Sequence, residues 1–120
     1  MIPIQITIRD LAGSEALAEK IRKKAEKMTQ FYQQIKNCHV VVEPTQKHKH
    51  QGKLYSVRIE LDVPGKDLVV DNKENEDAYI AVRDAFNALK RKLGDYAQRR
   101  RGDVKNHLNG GMQQNNLIED

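Results

Sequence analysis

A nucleophile needs a base within hydrogen-bond reach, a metal needs several ligands, and a phosphate backbone needs cations at intervals. Cys38 and His39 are the one pair resembling a nucleophile and its base. They are neighbours in a segment that reads as a strand, so their side chains point to opposite faces. No nucleophile elbow, phosphate-cradling glycine loop or dinucleotide fingerprint is present. Asp62, Asp67 and Asp71 flank a hairpin and read as solvated carboxylates, while Gly65 and Gly102 are accounted for by a turn and a helix exit. In Lys47-His48-Lys49-His50 the two histidines share one side of an extended segment. Zinc usually wants three or four ligands, and the flanking lysines repel a cation, so this segment reads as a basic loop. The chain is expected to be no enzyme, with no metal, no cofactor and no small-molecule substrate.

The cations form the pattern with chemical content. Lys20, Lys23, Lys24 and Lys27 step by three, one and three, which places them along one edge of a helix. Arg83, Lys90 and Arg91, then Arg99, Arg100 and Arg101, fall in and after a second helical segment. Long cationic side chains on two neighbouring helices can track phosphates at several points, and Arg adds bidentate pairing. With Lys47 and Lys49 from the loop, these are the expected RNA-binding residues. Glu19, Glu26 and Asp84 dilute the pattern.

The bulk numbers agree. Lys plus Arg number 21 against 17 Asp plus Glu, a net charge of +4. The excess is local: Ala78–Lys105 carries 8 basic and 3 acidic residues, whereas Gln46–Asp77 carries 6 and 7. Such asymmetry suits an anionic partner. Cys38 is the single cysteine, which fits a reducing compartment. There is no secretory signal pattern and no apolar run long enough to span a bilayer, so a cytoplasmic protein without membrane contact is expected.

The elements that must position these residues follow from periodicity. Ile2, Ile4, Ile6 and Ile8 alternate with polar residues, a strand with one buried face. Ser14 is the expected N-cap of a first helix, with Glu15 in its first turn. Leu17, Ile21, Ala25 and Met28 make the apolar stripe of that helix, and Phe31 and Tyr32 are expected to close it against the core. Ile35–Glu43 reads as a second strand and Pro44–Gly52 as a polar loop. Tyr55, Val57, Ile59, Leu61 and Val63 alternate cleanly as a third strand. Pro64-Gly65-Lys66-Asp67 turns into a fourth strand beginning at Leu68–Asp71, and Asn72–Asp77 reads as an acidic connector. Val82, Phe86, Leu89, Leu93 and Tyr96 are the stripe of a second helix, capped by Asn75 or Asp77 and ending near Arg99–Gly102.

The expected fold is α+β: β-α-β-β-β-α, with a four-stranded, mostly antiparallel sheet and both helices on one face. Residues 1–105 form a single domain, and residues 106–120, dominated by Asn and Gln, form a disordered polar tail. The expected core includes Ile6, Ile8, Leu17, Ile21, Val57, Ile59, Leu61, Val82, Phe86 and Leu89. Aromatic residues make up 5% of the chain and Trp is absent. A sheet that stacks single-stranded bases needs exposed aromatics. Recognition is therefore expected through helices and loops, reading backbone and shape.

The order of elements and three short segments resemble the ribosome hibernation-promoting factors and ribosome-associated translation inhibitors. Glu76-Asp77-Ala78-Tyr79-Ile80-Ala81-Val82 is similar to that family's acidic-Asp-Met-Tyr-Ala-Ala-Ile start of the second helix. Leu89-Lys90-Arg91-Lys92-Leu93 stands where the family has Leu-x-Arg-Gln-Leu, and Lys24-Ala25-Glu26-Lys27 is similar to its Lys-Leu-Glu-Lys. The likeness runs from Ile2 to Lys105. It implies binding to rRNA in the decoding region of the small ribosomal subunit, exclusion of mRNA and tRNA, and rRNA contacts from Lys24, Lys27 and Arg91. Away from the ribosome a monomer is implied. The chain departs from the family pattern at Ala88 and Asp95, where lysines are usual, and Arg99–Arg101 can compensate. The loop Gln46–Gly52 resembles that of a short-form branch with a His/Lys-rich loop. Longer relatives carry a second domain that pairs ribosomes, for which this chain has no room.

Two other classes compete. A double-stranded-RNA-binding module lacks the opening strand and begins its last helix with a Lys-Lys-x-Ala-Lys run. Here Lys23-Lys24 falls in the first helix, and Glu76-Asp77 opens the last. A protein-interaction domain with an incidental basic face is the other alternative.

Overall fold

The computed structural model of the protein describes residues 2–45 and 54–109, with side chains for all of these except Asn72 and residues 101–109. In chain order the elements are β1 (Ile4–Ile8), α1 (Ser14–Phe31), β2 (Asn37–Thr45), β3 (Leu54–Val63), β4 (Lys66–Asn75) and α2 (Ala78–Asn109). The four strands lie in sequence order across one sheet. β1 runs parallel to β2, with Ile6 opposite Val40, and α1 makes the crossover that a parallel pair requires. β2–β3 and β3–β4 are antiparallel, with Val40 opposite Ile59 and Leu61 opposite Leu68. This is the expected α+β order, and β1 is the opening strand that a double-stranded-RNA-binding module lacks.

Alternate strand residues build the core. Val40, Val42, Val57, Ile59, Leu61, Val63, Leu68 and Val70 are all buried. From the helices, Leu17, Ile21, Ala25 and Met28 of α1 and Ala81, Val82, Ala85, Phe86 and Leu89 of α2 bury their stripes on that face. Ile6 and Ile8 depart from expectation and are only half-buried. β1 has a single neighbour in the sheet, so its side chains have cover on one flank only. The thiol of Cys38 lies in the core and His39 stands on the opposite face, its Nε2 3.4 Å from Thr7 Oγ1.

The element ends differ more than the elements. α1 takes Gly13 as its N-cap, in a left-handed conformation (φ +70°) with no side-chain cap bond, and Ser14 is the first helical residue. At α2 both expected caps act together: Asn75 Oδ1 accepts the Asp77 N–H at 2.9 Å, and Asp77 Oδ1 accepts the Tyr79 N–H at 2.8 Å. The expected connector from Asn72 is instead the end of β4, where Lys73, Glu74 and Asn75 pair with Val57, Ser56 and Tyr55. Pro64 and Gly65 alone make the β3–β4 turn, Gly65 taking φ +87°, which an L side chain would resist. β2 begins two residues later than expected and continues through Pro44 to Thr45.

α2 does not stop near Gly102. It continues to Asn109, so the first residues of the expected polar tail are helical; residues 110–120 fall outside the described part. The chain separates into two compact units, Met1–Lys90 and Arg91–Asp120. The sheet, α1 and the first part of α2 belong to the first. In the second, Leu93 and Tyr96 are buried, and Arg91, Lys92, Arg99 and Arg100 are exposed.

Candidate nucleic-acid interface

Two of the expected cations of α1 and one of α2 meet at a single place. Lys24, Lys27 and Lys90 line an open hollow of about 400 Å³ between the two helices. Met28 and Phe86 reach it from the core side, Phe31 and Tyr32 from the end of α1, and Asn87 from α2. None of these lining residues is acidic. Nearer their N-termini the same helices approach at Lys20, whose Nζ sits 5.9 Å from the centre of the Tyr79 ring. The two helices thus run side by side in the same direction, with lysines along their seam.

The local sequence explains the arrangement. Lys27 and Phe31 are four residues apart on α1, so they share a face one turn from each other. On α2, Phe86 buries its ring while Asn87 and Lys90 turn outward. Three ammonium groups without a carboxylate among the lining residues repel one another and attract an anion. Their butylene stems can lie on the apolar floor while the charged heads stay in water.

The remaining expected cations are placed as follows. Lys20 and Lys23 are exposed on α1. Arg83 is exposed but lies 3.2 Å from the Asp84 carboxylate, which offsets part of its charge. In the second unit Arg91, Arg99 and Arg100 are exposed, with the Arg100 guanidinium 5.7 Å over the Tyr96 ring. Lys47, Lys49 and the side chain of Arg101 lie outside the described residues, as do His48 and His50. Among the described residues no cluster of ligands could hold a metal ion.

The open face of the sheet has the opposite character. Arg58 forks between Glu60 at 2.7 Å and Asp71 at 2.6 Å, and Arg9 meets Glu43 at 2.8 Å. The Glu60 hydrogen bond, with Asp71 beside it, holds the Arg58 guanidinium pKa above its ordinary value. Cations here are matched by carboxylates, so this face has little to offer a polyanion. Cys38 is no nucleophile at neutral pH, because burial pushes its thiol up to about 11.

One part of the site went against expectation. Phe31 does not close α1 onto the core: it is 72% exposed. Tyr32 is half-buried, and its N–H caps the helix by donating to the Met28 carbonyl at 3.0 Å. The chain therefore does present an exposed aromatic ring, at a helix end beside lysines and not on the sheet. The spacing Lys24, Lys27, Phe31 was the signal that could have found it.

Comparison with known proteins places the architecture. Residues 4–101 match the family described as Sigma 54 modulation protein / S30EA ribosomal protein. A ribosomal subunit interface protein from Coxiella burnetii is similar over 80% of this chain and 98% of its own, with 24% identity and a TM-score of 0.66. The N-terminal domain of Protein Y from Thermus thermophilus is similar over 80% of this chain and 99% of its own, with 24% identity and a TM-score of 0.64. No curated protein matches the sequence. Among the described residues no helix is long and apolar enough to cross a membrane.

Proposed function

The chain belongs to the Sigma 54 modulation protein / S30EA ribosomal protein family, and from that premise we propose that it is a ribosome-associated translation inhibitor. In this reading it is a cytoplasmic hibernation factor that binds rRNA in the decoding region of the small subunit and excludes mRNA and tRNA by occupying their channel. No bond is made or broken; the protein acts by filling a space and neutralising phosphates. Off the ribosome it is a monomer.

The observation that carries the reading is the acid-free seam of Lys24, Lys27 and Lys90 between the helices, set against a sheet face whose cations are paired. Each ammonium that meets a phosphate releases condensed counterions, so affinity is gained from several modest contacts. Lys20 and Lys23 extend the surface along α1. Arg91, Arg99, Arg100 and Arg101 supply contacts from the second unit, and Lys47 and Lys49 from the β2–β3 connection. Arg83, already engaged by Asp84, contributes least.

Co-sedimentation with purified small and large subunits at 50 and 200 mM salt tests this. A site making 6–10 phosphate contacts loses about 10³–10⁵ in affinity over that range. The chain is expected to pellet with the small subunit at low salt and to be released at high salt. Equal recovery with both subunits, or binding indifferent to salt, would refute it.

A further inference from the structure

The hollow holds more than phosphate chemistry requires. Cations suffice for a backbone, yet here they share one lining with Phe31, which is 72% exposed, and with Tyr32 and Phe86. Resting on the ribosome reading, we propose that this hollow receives one base of the bound RNA, turned out of its own stack and laid against Phe31. Lys24, Lys27 and Lys90 would hold the phosphates on either side of that nucleotide.

Three observations support it. A nucleotide carries a flat π-face and an anion in one unit, and the hollow offers a flat apolar ring and three cations within one lining. Its volume of about 400 Å³ lies in the range of small-molecule sites and admits a single base. Bases free to leave a helix occur in loops and bulges of RNA, where proteins commonly capture them on aromatic rings. Stacking alone accepts any base. Asn87 in the lining adds one amide donor group and one acceptor, through which a base edge could be preferred. An apolar protein segment would also fit the ring, but three unpaired lysines and no carboxylate favour an anionic occupant.

The test uses the full chain and two RNA hairpins, one with a single bulged 2-aminopurine and one fully paired. Wild type is expected to bind the bulged hairpin more tightly and to quench its fluorescence as the base stacks. Phe31→Ala should weaken that binding by about 5- to 150-fold and abolish the quenching, with the paired hairpin unaffected. Phe31→Tyr should behave as wild type, and Phe31→Leu, apolar but without a π-face, as Phe31→Ala. All three variants should fold and melt within several degrees of wild type, because most of Phe31 is solvated. If wild type binds both hairpins equally and Phe31→Ala changes nothing, the base pocket is overturned and the ribosome reading stands. The same holds if wild type pellets with small subunits but binds neither hairpin. Should it bind neither hairpins nor subunits, the ribosome reading itself falls and takes the pocket with it. Self-association that Phe31→Ala abolishes, with RNA binding intact, would assign the hollow to a second copy of the chain and overturn the inference.

Discussion

Two phenylalanines of opposite burial make the sharpest prediction about how this chain is held together. Phe86 is 3% exposed and Phe31 is 72% exposed, although the sequence puts Phe86 on the stripe of the second helix and has Phe31 close the first helix against the core. A phenylalanine side chain covers about 150–250 Å², which at about 25 cal/mol per Å² sets an upper bound near 4–6 kcal/mol for full burial. Truncations of buried phenylalanine cost about 3–5 kcal/mol, the cavity left behind included. Phe86→Ala should cost that much. Phe31 keeps little more than a quarter of its surface from water, so Phe31→Ala should cost no more than about 1–2 kcal/mol. In a domain of this size each kcal/mol moves Tm by about 4 °C, so Phe86→Ala should melt about 12 °C or more below wild type and Phe31→Ala should fall well short of that shift. Thermal and urea unfolding followed by circular dichroism would measure both. Similar shifts for the two variants would refute the placement of α1's last turn and with it the exposed ring.

Other outcomes follow from single groups. Asp77→Ala removes the acceptor for the Tyr79 N–H and should destabilise the chain by about 1 kcal/mol in urea unfolding, with Asp77→Asn restoring most of it. Cys38 should resist a disulfide-exchange reagent at pH 8 in the folded protein and react once the protein is unfolded in urea, since its thiol is buried and its pKa is raised to about 11. A thiol raised on folding stabilises the fold below its unfolded pKa and loses that stability as the unfolded state ionises first. Wild type should therefore lose stability relative to Cys38→Ala by about 1 kcal/mol per pH unit between pH 9 and 11, read from paired urea titrations. Truncation after Asn109 should leave the melting curve unchanged, because the removed residues are mostly polar and offer little to bury.

The body of the fold was legible because its signals are physical necessities. The alternation from Val57 to Val63 has only one solution, a strand with one face in the core, and the stripe of Val82, Phe86 and Leu89 likewise has only one. The misreadings share a cause: periodicity reports an angle around an axis and is silent on what lies opposite. Phe31 follows Met28 by three residues on α1, yet Met28 is buried and Phe31 is 72% exposed. Lys73 and Glu74 look like a connector because they are charged, but an edge strand is where charge is useful, since it discourages pairing with another chain. Gly102 looked like a stop, yet glycine within a helix costs only about 1 kcal/mol relative to alanine, and α2 runs through it. For the site, the lysine spacing on α1 was readable. The meeting of Lys24 and Lys27 with Lys90 was not, because it depends on how two helices distant in sequence lie across one sheet.

A surface that occupies the decoding region must compete with tRNA for purified small subunits. Labelled tRNA bound to mRNA-programmed small subunits would be titrated with wild type and with the triple variant Lys24→Glu, Lys27→Glu, Arg91→Glu. Lys27 and Arg91 are exposed and Lys24 only half-buried, so the variant should fold with a nearly unchanged melting curve. Wild type should displace tRNA at low salt and the triple variant should not, with in vitro translation inhibited in the same order. Displacement by both proteins at equal concentrations would contradict the surface assigned here, and co-occupancy of tRNA and wild-type protein on the same subunit would contradict the mechanism.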